Sequence, residues 1–229
     1  MALRYDEISL QKVGQNIPMR LDHVSYVCSQ NELLDTVNRL GRLIQTSFVD
    51  GGIHPRFGTR NFTAPLLNNQ YVEIVCPMDH PATDQTPFGK AVKQKAEAGG
   101  GWLTWVISTN DLSPIEKTWS RKAVIGTREM PDGTKLEWKQ IGVLGTLDNP
   151  IRPFFVQWLS SKHPSSMGSP KASIKKLQFL GNFSQDDFIT KTNISDLGIQ
   201  IENLKEISSP EKCLKSVEFD LSESSIEID

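Results

Sequence analysis

Two short apolar segments each carry one side chain that could do acid–base or metal chemistry. The first, LDHVSYV, contains His23, and the second, YVEIVCP, contains Glu73. Both segments read as strands, and because side chains alternate between the faces of a strand, His23 is expected to face the same side as Leu21 and Ser25. Imidazole and carboxylate groups can together move protons or hold a divalent transition ion.

The same plan recurs in the second half of the chain with altered residues. Aligning LDHVSYV with WLTWVIS places Thr104 at the His23 position, and aligning YVEIVCP with FVQWLSS places Gln157 at the Glu73 position. The two strand pairs are separated by nearly the same number of residues. A duplicated unit explains this best, and it predicts that the four positions surround one shared hollow.

The elements that must position these residues repeat as well. Residues 17–80 read as strand, helix and three strands, residues 81–100 as a connector whose helix begins at Thr86 and Pro87, and residues 101–164 as a second βαβββ unit with a loop around Gly145. Residues 172–229 read as strand, helix and three strands, a smaller βαβββ-like segment or third degenerate module. The predicted fold is α+β, with two tandem βαβββ modules forming a curved sheet cleft.

Composition excludes several functional classes. With 229 residues, 38% hydrophobic residues, 23% charged residues and a net charge of −2, the chain reads as a globular protein without a nucleic-acid surface. No apolar run is long enough to span a membrane. Three scattered cysteines suit a reducing compartment, so a cytoplasmic location is expected, and residues 1–16 read as a polar leader.

The paired βαβββ pattern resembles the vicinal oxygen chelate superfamily, which includes glyoxalases, bleomycin-resistance proteins and extradiol dioxygenases. LDHVSYV, GGIHPRFGTRN and YVEIVCPMDHP look most like its glyoxalase-like domain branch. The resemblance covers about residues 17–164. It implies a cleft between the modules that takes a small-molecule ligand, and it is compatible with a homodimer.

Carried over from metal-using members, the resemblance implies a divalent ion (Zn, Ni, Mn or Fe) held by His23, Glu73 and Gln157. Thr104 departs from the pattern, because a neutral hydroxyl rarely binds a transition ion. The implied activity is that of a metal-dependent lyase or isomerase on a small oxygenated metabolite, with Glu73 moving a proton. The alternative is a metal-free protein that binds or sequesters a small molecule, as the bleomycin-resistance type does. A buried His23–Glu73 pair without metal also remains open.

Further candidates lie between the two strands and in the second half. Arg60 and Asn61 are predicted to act in catalysis and substrate binding, Arg60 by clamping an anionic group and Asn61 by orienting a carbonyl; the alternatives are a solvated rim and a turn. His54, Trp102 and Thr104 are predicted to contact substrate, although tryptophans on strands are more often core residues. Two further histidines precede prolines at strand ends, where they can act as caps: His163 is interpreted as structural, and for His80 a structural and a functional role both stay open.

Overall fold

The computed structural model describes residues 18–181, 197–204 and 212–229. The first half consists of β1 (Met19–Val27), α1 (Leu33–Leu43), β2 (Val49–His54), β3 (Thr59–Leu66) and β4 (Gln70–Pro77). The connector consists of α2 (Pro81–Gln85) and α3 (Pro87–Glu97). The second half consists of β5 (Gly101–Thr109), α4 (Ser113–Thr118), β6 (Val124–Glu129), β7 (Lys135–Ile141), α5 (Val143–Asp148) and β8 (Phe154–Trp158). A 3-10 turn (Pro164–Ser166) precedes β9 (Ser173–Leu180), β10 (Gln200–Leu204), β11 (Cys213–Asp220) and β12 (Ser225–Ile228).

The strands of the first half and of the second half together build one eight-stranded sheet in the order β2-β3-β4-β1-β5-β8-β7-β6. In each half the first and last strands pair in parallel, β1 with β4 and β5 with β8, and the halves join through the antiparallel pair β1 and β5. The two tandem βαβββ modules and the α+β class are therefore confirmed. One element differs from prediction: the segment around Gly145 is helix α5, which begins after the left-handed Gly142 (φ 100°) instead of forming a loop.

The sheet is strongly curved, so its two outer strands, β2 and β6, approach each other. At Gly52 on β2, the position that a β-carbon would occupy lies 2.9 Å from the carbonyl oxygen of Glu129 on β6. Gly52 has φ of +85°, a conformation that favours glycine. A side chain at this position would push the two strand edges apart, so glycine here allows the sheet to close around a hollow.

Helix α3 covers one end of that hollow. Thr86 caps its first turn by accepting a hydrogen bond from the backbone N–H of Gly89, and Pro87 occupies the first helical position, as predicted. From this helix, Val92 packs against Val27 of β1 and Val75 of β4 in a small buried cluster. The connector therefore positions the two strands that carry the candidate site.

The C-terminal residues form a separate four-stranded sheet in the order β10-β9-β11-β12. It packs against the convex face of the main sheet, and the buried side chains of both sheets form one core. The parallel pair here is β9 with β10, the first two described strands of the segment, whereas module one pairs its first strand with its last. The third degenerate module stays a prediction. Its helix at 184–194 and the leader at 1–16 lie outside the described residues.

Candidate functional site

The hollow of the curved sheet contains a pocket of about 600 Å³, including its opening to solvent. Strands from both halves contribute to its wall, which is largely aromatic and aliphatic with a few polar groups. This is the usual composition of a small-molecule site. The lining residues are His23, His54, Phe57, Tyr71, Glu73, Phe88, Arg128, Trp138, Gln140, Val143, Phe154, Val156 and Trp158.

A β-bulge in β1 gives the site a residue that strict alternation assigns to the other face. Opposite β5, Leu21 pairs with Ile107 and His23 with Val106, so Asp22 is the extra residue of the bulge. Leu21 consequently packs in the main core with Val24. The prediction that Leu21 and His23 share a face is therefore wrong, and the fully buried carboxylate of Asp22 lies beside the ring of His23.

Asp22 links the two halves through hydrogen bonds. Its carboxylate accepts from Nδ1 of His23 at 2.9 Å, from Nε2 of His163 at 3.2 Å and from Nε1 of Trp158 at 3.2 Å, and Arg20 Nη2 lies 3.0 Å away. Burial alone would raise the pKa of this carboxyl group, but the hydrogen bonds from the two histidines outweigh burial and hold the pKa far below its usual range. Asp22 is therefore ionised in the folded protein.

The Asp22 carboxylate determines which nitrogen of His23 carries the proton. Because an ionised carboxylate can only accept, Nδ1 of His23 carries a proton, and in the neutral ring Nε2 is left as an acceptor. Nε2 makes no hydrogen bond to any residue in the described parts of the chain, and the ring lines the pocket. The ring is fixed by stacking on Tyr71, with centroids 4.3 Å apart, and by an edge contact with Phe154. His23 is therefore arranged as an oriented proton acceptor.

Glu73, which lies on β4 next to this histidine, is also held in place by hydrogen bonds. Its carboxylate accepts from the Ser25 hydroxyl at 2.7 Å and from the Asn61 amide at 2.5 Å. Burial raises its pKa, but electrostatic interaction with the imidazole rings of His23 and His54 and these two hydrogen bonds lower it further than burial raises it. Asn61 is fully buried and orients Glu73; the structure does not place its amide on the pocket wall, where it would contact a substrate carbonyl.

The arginine that lines the pocket is not the one that the sequence suggested. Neighbouring residues of a strand face opposite sides, so with Asn61 turned inward, Arg60 turns outward. There it pairs with Asp50 at 2.5 Å and lies over the ring of Phe62. The cation that lines the pocket is Arg128 of β6, which is only 6% exposed. The predicted clamp at Arg60 is thus not in the pocket.

His54 lies in the pocket wall, as its predicted role in substrate contact requires. Both of its ring nitrogens are buried and have no hydrogen-bond partner among the described residues. Burial, reinforced by the nearby charge of Arg128, lowers the pKa of His54 to about 4 although Glu73 opposes the shift. At neutral pH His54 is therefore an uncharged imidazole facing the ligand space.

Three predicted residues lie outside the pocket. The amide of Gln157 binds backbone groups of Leu112 and Asn110, because Phe154, Val156 and Trp158 are the inward-facing residues of β8. Trp102 points to the C-terminal sheet, where its Nε1 donates to the carbonyl of Ile228 at 2.8 Å. Thr104 is buried opposite Ser25, and its hydroxyl has no partner among the residues that the structure describes. Gln157 is therefore not the structural equivalent of Glu73, because the neighbouring residues Val156 and Trp158 face the pocket instead.

The donors at the site do not fit the predicted metal ion. Of the four duplicated positions, Gln157 faces away and Thr104 offers only a hydroxyl, which leaves His23 and Glu73 as the two remaining donors. No group of three or more His, Cys, Asp and Glu side chains in the described ranges is arranged to hold an ion. The strongest arrangement is instead the Asp22–His23 pair beside Glu73.

Several residues of the site were missed at the level of sequence. Strict alternation along LDHVSYV places Asp22 on the face opposite His23, and no site role was predicted for Arg128 or Tyr71. His163 was interpreted as a cap, and it does cap the following turn through Ser165, but its other nitrogen binds Asp22. The matching His-Pro pairs at the two strand ends were the one available signal, and they could not indicate that only the second reaches the site.

Comparison with known proteins agrees with this architecture. The model of a family described as a glyoxalase-like domain matches residues 21–185. A crystal structure of a hypothetical protein from Staphylococcus aureus superposes with a TM-score of 0.58 at 17% identity, covering 92% of this chain and 84% of that chain. No curated protein matches.

Two epimerase structures resemble a smaller part of the chain. Methylmalonyl-CoA epimerase from Mycobacterium tuberculosis superposes with a TM-score of 0.40 at 11% identity, covering 61% of this chain and 86% of that one. A Streptomyces coelicolor methylmalonyl-CoA epimerase in complex with 2-nitronate-propionyl-CoA gives 0.42 at 15% identity, covering 66% and 98%. At these identities, structural likeness concerns the fold alone.

The fold and the pocket define a cleft protein made of two βαβββ modules, which is the architecture of the vicinal oxygen chelate superfamily. Within that superfamily, the chain belongs to the glyoxalase-like domain family. No helix in the described ranges is both long and apolar enough to cross a membrane.

Proposed function

We propose that this protein is an enzyme of the isomerase or lyase type that moves a proton on a small oxygenated metabolite bound in the cleft. The observation that carries the proposal is the hydrogen bond from His23 Nδ1 to the buried carboxylate of Asp22 at 2.9 Å. It leaves Nε2 as an acceptor on the pocket wall. An oriented imidazole of this kind is the most common general base in enzymes.

In this mechanism His23 Nε2 takes a proton from the carbon next to a substrate carbonyl, the electron pair of that C–H bond forms an enolate, and the proton is returned to a carbon or the oxygen of the enolate. The carboxylates of Asp22 and Glu73 balance the positive charge on the imidazolium while the proton is held there. Ser25 and Asn61 keep Glu73 in place by hydrogen bonding to its two oxygens. The aromatic side chains of the wall lower the polarity around the reacting atoms.

Phenylpyruvate is a suitable probe, because its ring suits the aromatic wall and the carbon next to its carbonyl has an exchangeable proton. Exchange of that proton in D2O would be followed by NMR. His23→Gln should slow protein-catalysed exchange at least about 100-fold, the ordinary contribution of a general base. His80→Gln is the matched control, since His80 caps α2 outside the pocket. Equal exchange by the His23 and His80 variants would refute the proposal.

The metal-dependent version of this chemistry is separated by elemental analysis of protein expressed with added nickel, zinc, manganese and iron. We expect no bound ion to depend on His23. An equimolar ion that disappears in the His23→Gln variant would establish the metal-dependent lyase or isomerase instead and would remove His23 from the role of base.

A second candidate is the metal-free binding or sequestering protein. The predominance of aromatic side chains in the wall, Trp138 and Trp158 among them, favours it. Tight binding of an aromatic compound, with no exchange or conversion of any probe and no effect of His23→Gln on affinity, would support sequestration over catalysis.

A further inference from the structure

The second half contributes one cation to the pocket, and no described group neutralises it. Arg128 lies on β6, is 6% exposed and lines the ligand space. Its guanidinium makes no ion pair or hydrogen bond with any described residue, and its Nε atom is completely buried without a partner. A buried charge without a partner is costly, so proteins retain one where a ligand supplies the opposite charge.

Glu73 is not that opposite charge. Glu73 forms no ion pair with Arg128, and its two carboxylate oxygens accept hydrogen bonds from Ser25 and Asn61. The guanidinium nevertheless lies close to the same group of residues. A β-carbon placed on Gly51 would be 3.1 Å from Nη1 of Arg128 and would collide with the side-chain oxygen of Asn61. Nη1 of Arg128 therefore lies close to Asn61, the residue that orients Glu73.

His54 supplies a second unpartnered group on the same wall. Both of its nitrogens are buried without a hydrogen bond to the described residues. Because its pKa is low, at about 4, the ring is neutral at pH 7 and has one N–H to donate. A neutral donor beside a fixed cation is suited to an oxygen of an anionic ligand.

We propose that Arg128 and His54 form an anion subsite that binds the carboxylate of an aryl-substituted acid. The inference concerns the pocket of the proposed function and names the class of substrate that the pocket takes. The planar guanidinium matches the two oxygens of a carboxylate. The ring of the ligand packs on the aromatic side chains that line the same space: Phe57, Phe88, Trp138 and Phe154.

Charge favours a monocarboxylate over a phosphate or a dianion. Among the described residues that line this pocket, Arg128 is the only lysine or arginine, and the ionised Glu73 lines it too. One cation can neutralise one negative charge, and a second charge on the ligand would be repelled by Glu73. The predicted ligands are therefore singly charged acids with an apolar body.

Two probes of matched shape test this subsite without requiring turnover. Binding of 2-naphthylacetate and of the neutral 2-naphthylacetamide would be measured by calorimetry at pH 7.5. We expect the acid to bind wild-type protein at least about tenfold more tightly than the amide. Arg128→Met should weaken acid binding by a similar factor and leave amide binding unchanged, and His54→Leu should weaken acid binding by a smaller factor.

Arg60→Met is the matched control, because Arg60 pairs with Asp50 outside the pocket, and it should change neither affinity. Arg128→Lys keeps the charge but loses the planar guanidinium, so it should bind the acid with intermediate affinity. This variant is used in place of Arg128→Met if thermal melts show that Arg128→Met is unfolded. Equal binding of acid and amide to wild type overturns the subsite. If exchange of phenylpyruvate still depends on His23, that result leaves the proposed function standing. Failure of both probes to bind also overturns the subsite, and the exchange assay alone then decides on the proposed function.

Discussion

Replacing Asp22 by asparagine is the most informative single change, because it keeps the shape of the side chain and removes its charge. The carboxylate is fully buried and accepts charge-assisted or polar hydrogen bonds from His23, His163 and Trp158. In the variant, one acceptor oxygen becomes an NH2 group that faces donors. Removing one partner from a buried charged network costs about 3–5 kcal/mol. We expect Asp22→Asn to lower the free energy of unfolding by about that amount.

The assay is urea denaturation followed by circular dichroism at pH 7, with a thermal melt in parallel. For a chain of this size the expected loss corresponds to a fall of about 6–20 °C in melting temperature. Asp84→Asn is the control, since Asp84 pairs with Lys93 at 2.8 Å on the surface and its loss should matter little. An Asp22→Asn effect no larger than that of Asp84→Asn would refute the reasoning that this network joins the two halves.

The pH dependence of the same variant gives an independent check. The pKa of Asp22 lies far below the value of 3.8 expected for the unfolded chain. Its stabilising effect is therefore fully present above pH 3.8 and is lost as the pH falls toward the folded-state pKa. The stability difference between wild type and Asp22→Asn should stay constant from pH 8 to pH 5 and shrink below about pH 4. A difference that grew on acidification would contradict the assignment of an ionised Asp22.

Three further changes test neighbouring parts of the structure. The pKa of His54 is about 4 in the folded protein and 6.5 in the unfolded chain, so between these pH values the unfolded chain binds one proton that the folded protein does not. The stability of the wild-type protein should therefore fall as the pH drops below 6.5. In urea titrations, the free energy of unfolding of His54→Gln should depend less on pH. Gly51→Ala should displace the Asn61 side chain, with which the added β-carbon would collide, and crowd Nη1 of Arg128 at 3.1 Å. It should cost about 1–3 kcal/mol of stability by melts and weaken acid binding by calorimetry. Trp102→Phe removes the hydrogen bond to Ile228; it should cost about 0.5–1.5 kcal/mol and speed hydrogen exchange in β12.

Much of the architecture could be predicted because each element had a local cause. The cap at Thr86 with Pro87 fixed the start of α3, and strand alternation with turn residues identified β1 and β4. The duplication then required that equivalent strands pair in equivalent ways, which β1 with β4 and β5 with β8 do. The pairing order of the C-terminal sheet had no such internal template, so strands were predicted there without their order.

The site was harder to predict, because the face of the sheet on which a side chain lies depends on strand register, and register depends on pairing between strands that are distant in sequence. Residues 60 and 61 illustrate this: the motif was recognised, yet only one of two adjacent side chains can face inward, and Asn61 does so. The arginine that reaches the pocket, Arg128, lies on a strand whose sequence, VIGTRE, is not distinctive. It becomes a pocket residue only because the sheet curls and brings β6 next to β2.

The bulge at Asp22 shows most clearly why the chemistry of the site exceeds what the sequence alone indicates. A strict alternating strand would place Asp22 among apolar residues on the convex face, where an ionised carboxylate is not tolerated. One extra residue against β5 turns it inward, and there it finds His23, His163 and Trp158 as donors. Two of these three donors come from the second half, so the bulge is stabilised only once the modules have joined. The general base proposed here is therefore a product of the duplication as a whole and not of either strand by itself.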